Sequence, residues 1–265
     1  MSLFTVFVVG PAGSGKSTFV AAFADWLMSN EIPYVTVNLD PAAEYVPYVP
    51  DVDVREYVTA RQVMEEYALG PNGAIIASVD LLMNYLANLR DEIEESAAEG
   101  YVLVDTPGQM EVFAFRRSGV EVVRELSSER SGVTFIVDAC ISKSASSFAS
   151  QIFLASSVYY RFRMPQLNVL NKTDLLSMEE LERMVDWVNN PQALVTELER
   201  ELRGEERLMM IGMLKAIQGF MESFSTYFIS SKLVKGFDEV YAELQRIFRG
   251  GEDFEVPEYL RGDFL

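Results

Sequence analysis

The 265 residues are 49% hydrophobic and 23% charged, a globular composition, and no charge-free apolar run is long enough to span a membrane. Twenty-two basic against forty acidic residues leave a net charge of -18, which opposes nucleic-acid binding by the bulk of the fold. There is no histidine, so imidazole catalysis and histidine metal sites are excluded, and the one cysteine, Cys140, cannot close an internal disulfide.

The length suits one large α/β domain with insertions better than two independent domains. Met1-Ser2-Leu3-Phe4 has neither the basic nor the apolar stretch of a secretory signal, so a cytoplasmic protein is expected.

Leu3 to Val9 is a short apolar run with β-branched residues and reads as a buried strand. It enters Gly10-Pro11-Ala12-Gly13-Ser14-Gly15, after which Lys16-Ser17-Thr18 opens an amphipathic helix to about Asn30. A second strand, Tyr34 to Asn38, precedes a break at Asp40-Pro41. Asp53 to Ala68 and Ile75 to Ala98 read as helices, parted by the turn-forming Leu69-Gly70-Pro71-Asn72-Gly73. Tyr101 to Val104 is a third strand and runs into Asp105-Thr106-Pro107-Gly108. Val133 to Asp138 and Gln166 to Leu170 are the fourth and fifth, with a helix from Ala145 to Phe162 between them. Leu175 to about Gly219 is helical in composition with a break at Pro191. Phe224 to Ile229 is a sixth strand, followed by a last helix, Phe237 to Phe248. Such alternation implies parallel βαβ units in a doubly wound sheet with helical insertions, a single domain over residues 1–249, and an acidic tail over 250–265.

Three stretches carry chemistry. Gly10 to Ser17 fits the phosphate-binding pattern G-x(4)-G-K-[ST], between a strand and a helix as that pattern requires. Backbone amides around Gly13, Ser14, Gly15 and Thr18, with the helix's positive end, would hold phosphates. Lys16 would reach the β- and γ-phosphates, and the Ser17 hydroxyl would ligate magnesium. Asp105, at a strand end, is a second magnesium candidate, and Gly108 can offer an amide to the γ-phosphate. Asn171-Lys172-Thr173-Asp174 suits guanine. One carboxylate, Asp174, accepts from both donors of the guanine edge, Asn171 meets the other edge, and the Lys172 stem covers the ring. Ser231, in Ser230-Ser231-Lys232, would close over the base through its backbone amide.

Gly70-Pro71-Asn72, Asn38-Leu39-Asp40-Pro41-Ala42 and Asp105-Thr106-Pro107-Gly108-Gln109-Met110-Glu111, in this order with the stretches above, resemble the GPN-loop GTPases from Phe7 to about Phe248. The resemblance implies a nucleotide-gated homodimer that hydrolyses GTP to GDP with magnesium. In it the Gly-Pro-Asn segment, within an insertion at about 53–98, points towards the partner's site, and a second, helical insertion covers about 175–223. It implies that Asp40 lies near magnesium and the attacking water, that Gln109 and Glu111 belong to a switch, and that Asn72 acts catalytically. Pro11 stands where related dimeric ATPases carry a trans-acting lysine, which leaves any cross-subunit role to Asn72. The chain is more similar to compact archaeal members. By resemblance alone, clients such as RNA polymerase subunits and a role in complex assembly follow.

Competing readings are a P-loop kinase, which has no need of a guanine reader, and a GTP-loaded scaffold with negligible turnover. Arg116-Arg117 reads as a solvated or switch-stabilising pair. Met209, Met210, Met213 and Met221 are expected in the core or at a dimer contact.

Overall fold

The computed structural model describes residues 3–96, 99–223 and 225–249. β1 (Leu3–Val9) leads into α1 (Lys16–Ser29), then β2 (Tyr34–Asn38) and the short β3 (Val52–Asp53). Three helices follow, α2 (Ala60–Glu66), α3 (Pro71–Leu81) and α4 (Leu86–Ser96). After β4 (Gly100–Asp105) come α5 (Met110–Phe113) and α6 (Arg117–Leu126), then β5 (Arg130–Asp138), α7 (Ala145–Phe162) and β6 (Gln166–Asn171). The chain continues through α8 (Met178–Asn189), α9 (Pro191–Glu201), α10 (Gly204–Ala216) and α11 (Gln218–Ser223) to β7 (Thr226–Phe228) and α12 (Phe237–Arg249).

Among the described residues the seven strands are all parallel, in the order β3-β2-β4-β1-β5-β6-β7. Helices cover both faces, so the central strands are apolar on both sides. One face packs Phe4, Val6 and Val8 against Phe19, Phe23 and Trp26 of α1 and Phe237, Tyr241 and Leu244 of α12. The other packs Phe7, Val104, Phe135 and Val137 under α3, α4, α6, α7, α8 and α9. Each such large side chain, fully buried, contributes about 1.5–3 kcal/mol. The sheet's carboxyl edge is therefore a rigid rim on which the loops after β1, β2, β4, β6 and β7 sit.

Several expectations need correction. The stretch read as a helix from Asp53 is a strand end and a 3₁₀ turn (Val54–Glu56), because Val52 and Asp53 pair with Val37 and Asn38. The helix starts only at Ala60, where Thr59 and Gln62 form a reciprocal cap. The helix expected over Ile75 to Ala98 is two helices parted by a 3₁₀ turn at Leu82–Asn84, after which Tyr85 leaves helical geometry and its ring packs, tilted, against Tyr57. Gly70-Pro71-Asn72 is a helix start rather than a free turn. Gly70 is extended at the cap, Pro71 takes the first helical position, and Asn72 is exposed in the first turn. α5 and α6 lie where no regular element was expected. Of the methionines expected in the core or at a dimer contact, Met210 and Met221 are half-buried against the core, and the exposed Met209 and Met213 keep only the dimer-contact expectation. The expected strand residue Phe224 and the tail from Gly250 lie outside the described residues.

Candidate active site

The loop after β1 turns because Gly13 and Gly15 take left-handed backbone angles, with φ of 77° and 95°, which a residue with a Cβ resists. The turn wraps Lys16, which is buried; its Nζ donates to the carbonyls of Gly10 (3.0 Å) and Pro11 (3.2 Å). Burial lowers the Lys16 pKa, and the nearby carboxylates of Asp105 and Asp40 oppose that. Gly108 closes the far side. A methyl group placed on it would lie 3.9 Å from Lys16 Nζ.

Asp105 ends β4, and the register that pairs it with Val8 of β1 sets it beside the phosphate loop. It is buried, and one oxygen, Oδ2, accepts from the Tyr48 hydroxyl at 3.1 Å. The other, Oδ1, has no hydrogen-bond partner among the described residues. Burial pushes its pKa up to about 6, a rise that Ser17, Lys16 and the Tyr48 hydrogen bond limit and Asp40 adds to. A buried carboxylate oxygen without a partner, beside a serine hydroxyl at a helix start, fits a magnesium site. That ion takes one or two protein oxygens and fills the rest with phosphate and water.

Asp40 lies between these parts. Its Oδ2 accepts from the Gly108 amide at 3.3 Å and its Oδ1 from the Ala42 amide at 2.9 Å. Gln109 is the residue before α5, and Glu111 lies within that helix. Arg116 pairs with Asp80 of α3 at 2.8 Å.

At the other end of the loop, Asn171 is buried. It donates to the Ser14 carbonyl (3.3 Å), while its Oδ1 accepts from the amides of Lys172 (2.8 Å) and Ser231 (3.0 Å). It thus ties three loops together. Lys172 Nζ bridges the Gly13 carbonyl and Asp138 Oδ2, at 2.6 Å each. Asp174 Oδ1 accepts from the Ser230 hydroxyl at 2.6 Å, which fixes the carboxylate against the loop after β7. The hydroxyls of Ser14 and Ser231 are buried without partners among the described residues. Unmatched polar atoms therefore line the site at both ends.

A family model described as "Conserved hypothetical ATP binding protein" matches residues 8–250. The GPN-loop GTPase PAB0955 of Pyrococcus abyssi is 35% identical over 237 residues, 89% of this chain and 93% of that protein. The chain belongs to the GPN-loop GTPases. The crystal structure of PAB0955 in its apo form superposes with a TM-score of 0.83 at 33% identity, covering 92% of this chain and 97% of that one. GPN-loop GTPase 1 of Saccharomyces cerevisiae is 32% identical over 248 residues. This GPN-loop chain covers 90% of its own length in that match but 64% of the yeast protein, and 52% of the GPN-loop GTPase 1 of Dictyostelium discoideum. The relatives' shared name calls those proteins GTPases.

In this GPN-loop chain, Lys16, Ser17, Asp40, Asp105 and Gly108 come together, and Asn171, Lys172, Asp174 and Ser231 form the second group. Asn72 joins neither. It is exposed on α3, where an open groove of about 830 Å³ lies between Pro41–Glu44 and Pro71. Tyr48 and Asp138 touch the site's residues and were not expected there, while Asp53 and Arg55 lie one contact further out, on Asn38 and the Ala43 carbonyl. Tyr48 carries no local signal. Asp53 and Arg55 are read more readily as a helix start.

Proposed function

We propose that this chain binds GTP with magnesium and hydrolyses it to GDP and phosphate as a homodimer. The observation that carries the reading is the partnerless Oδ1 of buried Asp105 beside Ser17 and Lys16. Ser17 and Asp105 would hold the ion, with Asp40 nearby. Magnesium, when bound, neutralises charge on the β- and γ-phosphate oxygens.

The chain's own groups do the rest. Amides from Gly13 to Thr18 and the Lys16 ammonium hold the phosphates and balance the charge that grows as the bond to the β-phosphate breaks. Asp40 accepts a hydrogen bond from the attacking water, and its link to the Gly108 amide ties that position to the γ-phosphate contact. Gln109 and Glu111 belong to the segment that moves with nucleotide state. Asp174, held by Ser230, accepts from the guanine edge; adenine lacks that donor pair, which favours GTP over ATP. Asn171 serves the base chiefly by joining the loop of Ser14 to that of Ser231.

The homodimer, with Asn72 acting on the partner's water, and the service to assembly of a protein complex such as RNA polymerase follow from the family resemblance; a cytoplasmic setting is part of the same proposal. The exposed first turn of α3 beside the open groove is compatible with a partner there. Among the described residues no helix is long and apolar enough to cross a membrane.

Phosphate release from GTP and from ATP, with and without magnesium, tests the reading. GTP turnover should need magnesium and vanish in Ser17→Ala and Asp105→Ala. Equal release from ATP would refute the base assignment. GTP bound without release would favour the scaffold, and transfer to an added acceptor the kinase.

A further inference from the structure

We infer that Arg55 and Asp53 form a positioning clamp that sets the Asp40 carboxylate, and this rests on the reading of Asp40 given above. The register is the starting point. Asn38, the last residue of β2, pairs with Asp53 on one side and with Asp105 on the other. The buried Asn38 amide therefore faces two acidic strand ends and has a defined place between them. Its Nδ2 donates to Asp53 Oδ1 at 2.9 Å, and its Oδ1 accepts from the Asp40 amide at 3.1 Å.

Arg55 closes the arrangement. Its Nε lies 2.9 and 3.0 Å from the two Asp53 oxygens and its Nη2 2.5 Å from Oδ2, a planar fork on a carboxylate. Its Nη1 donates to the Ala43 carbonyl at 3.0 Å. The Asp40–Ala43 turn is thus held at both ends: at the Asp40 amide through Asn38 and Asp53, and at the Ala43 carbonyl by Arg55 itself. Within it Asp40 accepts from Ala42 and Gly108. Burial opposes ionisation of Asp53, but the Arg55 and Asn38 hydrogen bonds outweigh it and hold its pKa below the usual carboxylate value. Neither Arg55 nor Asp53 touches the phosphate loop or the Asp174 loop in any described contact. Their effect on the chemistry runs through Asp40. A displacement of about 1 Å at a water-orienting group can cost ~100-fold in rate.

The test uses Arg55→Lys, which keeps the charge and loses the fork, and Asp53→Asn, which keeps the shape and loses the charge pair. Each should lower kcat for GTP about 10- to 100-fold, with KM within about twofold, the range seen when an outer support of a site residue is removed. In an Asp40→Ala background the same substitutions should cost less than about twofold, because the group they position is gone. Multiplying penalties in that background would overturn the inference. Hydrogen exchange of the nucleotide-free protein gives a readout free of catalysis. The amides of Asp40 and Ala42 should exchange at least about tenfold faster in both variants, and unchanged exchange in both would refute the clamp. If Asp40→Ala hydrolyses GTP like the wild type, the role of Asp40 falls, and the exchange result still decides whether Arg55 and Asp53 hold this turn. Should one variant fail to fold, the other carries the test.

Discussion

Asp105→Asn should make the nucleotide-free protein more stable at neutral pH relative to acid, while it destroys magnesium-dependent turnover. Burial raises the Asp105 pKa from 3.8 to about 6. At 1.36 kcal/mol per pH unit that is roughly 3 kcal/mol in favour of the protonated form. The folded state binds this proton more tightly than the unfolded chain. The group's contribution is therefore complete below pH 3.8 and is lost as pH rises through 6. Because the sequence pI is about 4.4, the useful window is pH 5 to 8, and about 1.4 kcal/mol of the swing falls within it. Urea unfolding followed through Trp26 and Trp187, one in each core layer, reports both halves of the fold. The stability difference, variant minus wild type, should rise by about 1.4 kcal/mol from pH 5 to pH 8. Any constant cost of the new amide cancels in that comparison. A flat difference would refute the claim that Asp105 is held against its charge. With magnesium and GTP at about 100 times Kd, the wild type should gain about 2.7 kcal/mol and the variant far less.

Asp174→Asn should weaken GTP binding about 100-fold or more and improve binding of xanthosine triphosphate, which isothermal titration with both nucleotides measures; unchanged GTP affinity would show that Asp174 does not read the base. Asn72→Ala should keep GTP and hydrolyse it slowly, and mixing it with Lys16→Ala should recover part of the activity. No recovery in verified heterodimers would confine Asn72 to its own subunit or to the start of α3. Gly119→Ala, inside α6, should destabilise by about 1–3 kcal/mol, because the new Cβ would lie 1.9 Å from the Phe113 carbonyl oxygen. An exposed helix position would instead gain up to about 1 kcal/mol from that change, so a raised melting temperature would refute the close approach of α5 and α6.

Local chemistry alone determines much of this molecule. The glycines of residues 10–15, the apolar run before them and the amphipathic run after them can only make a strand, a tight turn and a helix, because backbone freedom and hydrophobic period act over a few residues. The same holds for α7, bounded as expected at Ala145 and Phe162, and for Asn171 to Asp174 at the end of β6. The tertiary structure decided the rest. Asp105 meets the phosphate loop because β4 pairs with β1, nearly a hundred residues away. Asn38 stands between Asp53 and Asp105 through strand register, and Tyr48 reaches Asp105 only once those strands are in place. Arg55 meets Asp53 only two residues away, but its hold on the Ala43 carbonyl exists only once β3 is paired with β2. These contacts join residues whose separation carries no period. Only the packing of the whole sheet, which fixes every register at once, brings them within hydrogen-bond distance.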